Sequence, residues 1–213
     1  MVGGRVEIMA AAGFVQILTD VLHQTRHPWA PHQGDFMDQA TRLLVQYARY
    51  HRDPRNITTH YVGIPLIVFA IGALLARAQF SVAGLVVSLD VVAYLLAAQW
   101  YLQQGQRPLV LTTLVLIGTL LMLAHPLAGA PLAIWLSVAL GSFVVGWVFQ
   151  FVGHYWEGRK PAFVDDLRGL LVGPMFVVAE AGFALGLAQA LHRHIVQQTG
   201  PVARQTPRTT RNA

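Results

Sequence analysis

Long apolar segments set the pattern of this chain. Four of them lie near the length that an α-helix needs to cross a bilayer core about 30 Å thick. They are residues 61–76, 80–102, 109–124 and 132–149. A fifth apolar segment, residues 170–191, is interrupted by Gly173, Pro174, Glu180 and Gly182, so we do not expect a simple crossing there. The pattern predicts an all-α fold, a multi-pass transmembrane helical bundle with four to five membrane helices.

The stretch before the first apolar segment is amphipathic. Over residues 38–52, apolar side chains recur at steps of three and four opposite polar ones, which predicts a helix lying along the membrane surface. A proline follows Asp53, and it ends this helix and suits the first turn of the next, with Asp53 as the cap. Asn56 and His60 share one face of the second helix. His51 and His60 are therefore expected on two helices joined by a tight corner.

The two ends of the chain differ from its middle. Residues 1–36 contain an apolar stretch that is too short to span a bilayer, and they are expected to be a poorly defined extension or interfacial segment. Residues 37–192 are expected to form the membrane-embedded catalytic domain. Residues 193–213 combine arginines, prolines and a glycine, which indicates a basic, disordered tail.

Composition agrees with a membrane protein. Only 12% of the 213 residues are charged, against about 25% in a typical soluble domain. The net charge of +5 comes from arginines scattered through the connections, so we interpret it as membrane topology and lipid attraction and expect no nucleic acid partner. The chain has no cysteine, so any metal must be held by His, Asp, Glu or water.

Arginine and lysine positions predict which ends share a side. Six arginines lie in residues 1–60 and three cationic residues in 155–169, while the intervening loops hold only two. The positive-inside rule therefore places both regions at the cytoplasm. Four crossings between His60 and His154 return the chain to the same side, whereas His125 falls on the other. A full fifth crossing would place the arginine-rich tail outside, so the last segment is expected to be re-entrant or interfacial, or the count differs by one.

Three histidines are candidates for a shared metal site. Neutral imidazoles from His51, His60 and His154 suit zinc, iron or copper and leave positions open for substrate. The alternative for each is an interfacial histidine bonded to headgroups or backbone. Asn56 either orients an imidazole or marks the helix entry. Glu157 is either a carboxylate ligand or a surface partner for an arginine two residues on.

Charged residues around these positions are candidates for substrate binding. A cationic rim, suited to a carboxylate or phosphate head or to lipid anchoring, consists of Arg52, Arg55, Arg159 and Lys160. Two acidic residues lie inside apolar segments, where ionisable groups are costly. Asp90 is expected to clamp two helices together, and Glu180 reaches the site only if its segment dips and returns.

Two blocks of residues resemble the signature of a known family, the 2-hydroxypalmitic acid dioxygenase (Mpo-type) family of small multi-pass membrane proteins. The resemblance covers roughly residues 38–191. Its residues are Tyr47, His51, Pro54, Asn56, His60 and Pro65, then Gly153, His154, Glu157, Pro161, Ala162, Pro174 and Glu180. The resemblance implies an Fe(II)-dependent dioxygenase of fatty acid α-oxidation, which uses O2 to shorten a 2-hydroxy fatty acid by one carbon. The family's motif histidines match His51, His60 and His154.

Other functions and locations stay open at this point. A zinc-dependent membrane lipid hydrolase or lipid-modifying enzyme would use the same histidines, and a non-enzymatic transporter or scaffold would line a path with Asp90 and Glu180. Arginine dominance over lysine indicates a bacterial cytoplasmic membrane, and the family location in a eukaryote would be the endoplasmic reticulum. Membrane lipid is an expected partner. A homo-oligomer is a further possible partner state.

Overall fold

A computed structural model describes residues 38–202 of the chain, and this part is mostly helical. Its helices are α1 Gln39–Ala48, α2 Pro54–Ala76, α3 Leu89–Leu102, α4 Arg107–Ala124, α5 Leu132–Glu157, α6 Gly169–Ala184 and α7 Gln189–Thr199. Two strands, β1 Gln79–Val82 and β2 Leu85–Ser88, and two short 3-10 helices, His125–Gly129 and Ala162–Val164, complete it. The expectation for residues 1–36 lies outside the described residues.

Helix α1 is shorter and more buried than the amphipathic pattern predicts. Asp38 caps it by accepting the Thr41 backbone N–H at 2.9 Å. The helix ends at Ala48 rather than near residue 52. Leu44 is fully buried and Tyr47 is 8% exposed, and the helix packs on α6 and α7. Helix α1 is thus a packed member of the bundle, and its apolar face contacts protein.

The predicted corner between the first two helices is present. Asp53 caps α2, accepting the Arg55 backbone N–H at 2.9 Å, and Pro54 occupies the first helical turn. Helix α2 then runs antiparallel to α5 at very close range. A Cβ on Gly63 would lie 2.8 Å from the Gly146 carbonyl oxygen, and a Cβ on Gly146 would lie 2.9 Å from the Gly63 carbonyl oxygen. Only glycine permits this approach, which fixes how the ends of the two helices meet.

The prediction of one helical segment over residues 80–102 is wrong. Its first part belongs to an antiparallel hairpin, with Gln79 opposite Ser88 and a turn at Ala83 and Gly84. Both turn residues have positive φ, at 51° and 84°, as the commonest two-residue hairpin turns require. Only 14 residues remain for α3, a length of about 21 Å. Hydropathy counts apolar residues, and it does not separate a β-hairpin from a helix.

Four passes of the chain nevertheless connect the two ends of the described bundle. Helix α3 returns toward α1, where the Ala40 backbone N–H donates to the Gln104 carbonyl oxygen at 2.8 Å. Helix α4 runs away again, and its end meets the start of α3 through a contact of 2.9 Å between His125 Nδ1 and Asp90 Oδ2. This contact is the expected Asp90 clamp between helices. Helix α5 completes the fourth pass.

Three stretches within residues 38–202 are long and apolar enough to cross a membrane. They are Pro54–Ala76, Arg107–Gly129 and Leu132–Glu157. The pair formed by α6 and α7 passes the same test together, with a bend of 112°. The described residues therefore contain three candidate spans, or four if the bent pair counts as one.

The break in the last apolar segment lies later than the sequence suggests. Helix α6 continues through Pro174 and Gly182, and the bend follows at 185–188, where Gly186 and Ala188 have φ of 78° and 47°. Helix α7 then extends to Thr199. The predicted disordered tail therefore does not begin at residue 193, because α7 packs on α1.

Candidate metal centre

Three buried histidines from separate parts of the chain converge at one end of the bundle. His51 lies in the corner between α1 and α2, His60 lies on α2, and His154 lies in the last turn of α5. Their exposed fractions are 1%, 1% and 5%. One ring nitrogen from each lies within 4.8 Å of the others. The structure therefore brings together the three residues that the sequence selects as metal ligands.

Backbone contacts determine which nitrogens of His51 and His60 are free. His51 Nδ1 lies 2.8 Å from the Tyr47 carbonyl oxygen, and His60 Nδ1 lies 2.8 Å from the Asn56 carbonyl oxygen. A carbonyl only accepts, so each Nδ1 carries the proton and each neutral ring presents a lone pair at Nε2. These two Nε2 atoms are 2.9 Å apart. Two facing lone pairs repel unless a cation or a proton lies between them.

His154 adds a third nitrogen without a partner. Its Nδ1 is buried and has no hydrogen bond within residues 38–202. Its ring centroid lies 5.0 Å from that of His51 and 5.3 Å from that of His60. Buried polar atoms are rarely left unpaired, and a metal ion would satisfy this one. The three imidazoles therefore fit a metal ion as a donor set.

Electrostatics at His51 also favour metal binding. Burial, and then the neighbouring His60, hold the pKa of His51 well below its usual range. The neutral imidazole is the form that binds metal. Competition from protons is therefore weak at this ligand near neutral pH.

Glu157 connects the histidine corner to α5. Its carboxylate accepts the Arg52 backbone N–H at 2.8 Å and the Asp53 backbone N–H at 2.8 Å. It also accepts Asn56 Nδ2 at 3.1 Å. These contacts satisfy free N–H groups at the start of α2, where a negative charge is favoured. Glu157 lies outside the group of three nitrogens, and its hydrogen bonds go to the corner rather than to Arg159.

Asn56 acts on the site through two different groups. Its backbone carbonyl orients the His60 ring, while its side chain donates to Glu157 and, at 3.4 Å, to the Tyr50 carbonyl. The prediction that Asn56 orients an imidazole thus corresponds to a backbone contact here. Its side chain holds the corner closed.

The four cationic residues predicted for substrate binding surround this same end, and each has a protein partner. Arg55 pairs with Asp53, Arg159 donates to the Arg49 carbonyl, Lys160 pairs with Asp165, and Arg52 donates to Thr199 and the Pro201 carbonyl. None of the four lines the cavity described next. Glu180 lies half-buried on α6 and does not line it either.

An apolar cavity of about 280 Å³ adjoins His154. Its walls come mainly from α2, α5 and α6, and they run along α2 from Ile64 to Ile71, about 10 Å at the helical rise. Phe143, on α5, also lines the cavity. A cavity with one polar end and aliphatic walls suits a hydrocarbon chain with a polar head.

Gln150 is a cavity residue that the sequence reasoning does not single out. It lines the cavity one helical turn before His154 and is 6% exposed. The available signal is an amide inside an apolar segment, on the same helix face as a candidate ligand.

Fold and site define this protein as a helical bundle of membrane-protein composition with a buried three-histidine centre beside an apolar cavity. The sequence profile of the 2-hydroxy-palmitic acid dioxygenase Mpo1-like family matches residues 37–185. The chain is also 34% identical over 148 residues to the 2-hydroxy-palmitic acid dioxygenase MPO1 of Saccharomyces cerevisiae, covering 68% of this chain and 80% of the yeast protein. The chain therefore belongs to the Mpo1-like family, which confirms the resemblance. No solved structure gives a significant match.

Proposed function

We propose that this protein is an Fe(II)-dependent dioxygenase that shortens 2-hydroxy fatty acids by one carbon, the reaction of fatty acid α-oxidation. The observation that carries the proposal is the buried group of three histidine nitrogens beside an apolar cavity. The relationship to a yeast enzyme named for 2-hydroxy-palmitic acid supplies the substrate class. O2 is the second substrate.

His51, His60 and His154 would hold the iron. Three neutral imidazoles leave coordination positions open, which a 2-hydroxy acid and O2 require. Iron bound there supplies Lewis acidity and the redox chemistry that O2 needs. In the overall reaction the carbon that bears the hydroxyl is oxidised to a carboxylic acid and its bond to the original carboxyl carbon breaks. That carboxyl carbon leaves as CO2, and O2 accepts the four electrons, so that RCH(OH)COOH and O2 give RCOOH, CO2 and H2O.

The protein side chains hold the reactants and exclude water. The carbonyls of Tyr47 and Asn56 keep the imidazole Nε2 atoms directed toward each other. Ile64, Ile71 and Phe143 line the cavity, and the acyl chain would lie against them. The cationic side chains around the histidine end would favour approach of an anionic acid, although they are paired with protein groups.

We further propose that the apolar helices cross a membrane, with the histidine end at its cytoplasmic face. The concentration of arginines at this end supports that orientation, as do the four passes of the bundle, three of which are long enough to be candidate spans while α3 is a shorter apolar helix. We propose a bacterial cytoplasmic membrane as the location. There the substrate would reach the cavity from the lipid phase.

Iron loading and turnover test the proposal together. Purified protein, loaded anaerobically with Fe(II), should convert 2-hydroxypalmitic acid and O2 to the acid one carbon shorter, measured by mass spectrometry. Alanine variants at His51, His60 and His154 should lose both iron and activity. His125→Ala is the matched control, since His125 lies at the opposite end of the bundle.

The two parts of the proposal fail separately. Full iron content in all three alanine variants would contradict the ligand assignment. An iron-loaded wild-type protein that produces no shorter acid from any chain length would remove the reaction and leave the metal site.

A second candidate is a zinc-dependent lipid hydrolase or lipid-modifying enzyme. The donor set observed here consists of imidazoles alone, and such a set suits zinc as well as iron. Stoichiometric zinc in anaerobically purified protein, with turnover that does not depend on O2, would favour this candidate over the dioxygenase.

A further inference from the structure

The cavity beside His154 is polar at only one place. Among the described residues, no Asp, Glu, Lys or Arg lines it. Apart from Trp147, the side chains with polar atoms that line it are Tyr47, Gln150 and His154. An amphiphilic ligand must therefore satisfy its head against these groups and the metal.

The Gln150 side chain is buried with unused hydrogen-bonding capacity. Its Nε2 atom has no partner within residues 38–202. Close packing places it there, because a Cβ on Gly63 would lie only 2.6 Å from that nitrogen. An unpaired buried amide is costly in an apolar setting. Rotation of the amide by half a turn about its terminal bond would present the NH2 group or the carbonyl oxygen to the cavity.

The position of Gln150 relative to His154 indicates which ligand atom it meets. The two residues lie one helical turn apart on α5, about 5 to 6 Å between their Cβ atoms. Helix α5 ends beside the histidines, and Gln150 precedes His154 on it, so Gln150 lies on the side of the cavity's aliphatic walls. If the carboxylate lies at the histidines and the acyl chain lies along the aliphatic walls, Gln150 would adjoin carbon 2, which follows the carboxyl carbon and bears the hydroxyl. An amide is both donor and acceptor, as is a hydroxyl, whereas a carboxylate only accepts.

We propose that Gln150 recognises the 2-hydroxyl group of the fatty acid and so selects 2-hydroxy acids over unhydroxylated ones. This inference rests on the proposed function for its substrate class. It assigns selectivity to a neutral amide inside the cavity rather than to the cationic side chains around its end. A site that bonds a substrate hydroxyl rejects the analogue without it, because the buried amide is then left unpaired.

Binding without turnover tests the inference separately from the reaction. The iron-loaded protein is kept anaerobic, and the Kd values for 2-hydroxypalmitic acid and palmitic acid are compared in wild type and in Gln150→Met, which keeps the length of the side chain. The wild type should prefer the hydroxy acid, and the variant should lose about three- to tenfold of that preference. Its palmitic acid affinity and its iron content should stay near wild type.

Two further variants test whether the effect depends on the position and length of the Gln150 amide. Phe151→Met introduces the same residue at the next position of α5, where the side chain is 54% exposed, and should keep the wild-type preference. Gln150→Asn keeps an amide that ends one methylene short, and should lose preference in the same direction as Gln150→Met.

The outcomes separate this inference from the proposed function. A wild type without preference for the hydroxy acid, or a Gln150→Met variant that weakens both acids equally, would overturn the role of Gln150. If the wild type binds the hydroxy acid selectively and Gln150→Met loses this selectivity, but the protein makes no shorter acid, the result would support recognition of the hydroxyl by Gln150 and reject the proposed dioxygenase reaction.

Discussion

At the scale of single residues, both histidines of the corner are held by a backbone carbonyl four positions earlier. Tyr47 supplies the carbonyl for His51, and Asn56 supplies it for His60. Because these bonds use backbone atoms, the residue types at 47 and 56 do not determine the ring tautomers. The sequence therefore identifies the imidazoles but does not show what orients them.

Glu157 is expected to stabilise both the fold and the metal site. Its carboxylate accepts two backbone N–H groups and the Asn56 amide, so Glu157→Ala removes the acceptor of both N–H groups and leaves the Asn56 amide with the Tyr50 carbonyl alone. We expect a loss of about 1–3 kcal/mol in the free energy of unfolding. Metal affinity should fall as well, because the corner between His51 and His60 loosens. Denaturant unfolding and an Fe(II) titration in detergent measure the two effects.

A conservative variant gives the control for Glu157. Glu157→Gln keeps an acceptor oxygen for the backbone N–H groups, so it should lose less stability and less metal affinity than Glu157→Ala. If Glu157 were a metal ligand instead, Glu157→Gln would lower metal affinity by about as much as Glu157→Ala while stability stayed near wild type.

At the scale of elements, close contact between α2 and α5 places His154 opposite the corner. Gly153 lies against α2, where a Cβ would clash with Thr59 Oγ1 and Asn56 Oδ1. The sequence shows this glycine beside a histidine, but it does not show the helix that the glycine contacts. Contacts between residues so far apart in the chain are not visible in local periodicity.

The second prediction concerns that contact. Gly153→Ala should push α2 and α5 apart, which costs about 1–3 kcal/mol of stability and displaces His154, so iron binding should weaken strongly. Gly141→Ala on the same helix is the matched control, because a Cβ there meets nothing within 4 Å. Thermal unfolding and iron content measure both variants. Equal behaviour of the two would contradict the role of close packing at the site.

Local sequence signals predicted some elements well and others poorly. The corner is recognisable because Asp53 and Pro54 favour the start of a helix through contacts with residues close to them in the chain. Hydropathy does not reveal the hairpin at residues 79–88, because its strands are as apolar as a membrane helix. Its turn at Ala83 and Gly84 is a short signal within a long apolar run.

At the scale of the whole molecule, an even number of passes brings the two halves of the site together. His60 starts the first pass and His154 ends the fourth, while His125 lies at the other end. The parity of the predicted crossings gives this convergence at one end, although one pass is shorter than expected. The cavity beside His154 could not be predicted, because helices distant in sequence form its walls.

The orientation of the bundle in the membrane can be tested with single introduced cysteines. Because the chain has no cysteine, a single introduced cysteine reports its own side without interference. Tyr155, at the histidine end, is 83% exposed, and Leu85, in the hairpin at the opposite end, is 72% exposed. In inverted vesicles from a bacterial cytoplasmic membrane, Tyr155→Cys should react with a membrane-impermeant maleimide and Leu85→Cys should not. In intact spheroplasts the pattern should reverse. Labelling of both positions from one side would contradict a membrane-crossing bundle, and the opposite pattern would place the histidine centre outside the cytoplasm.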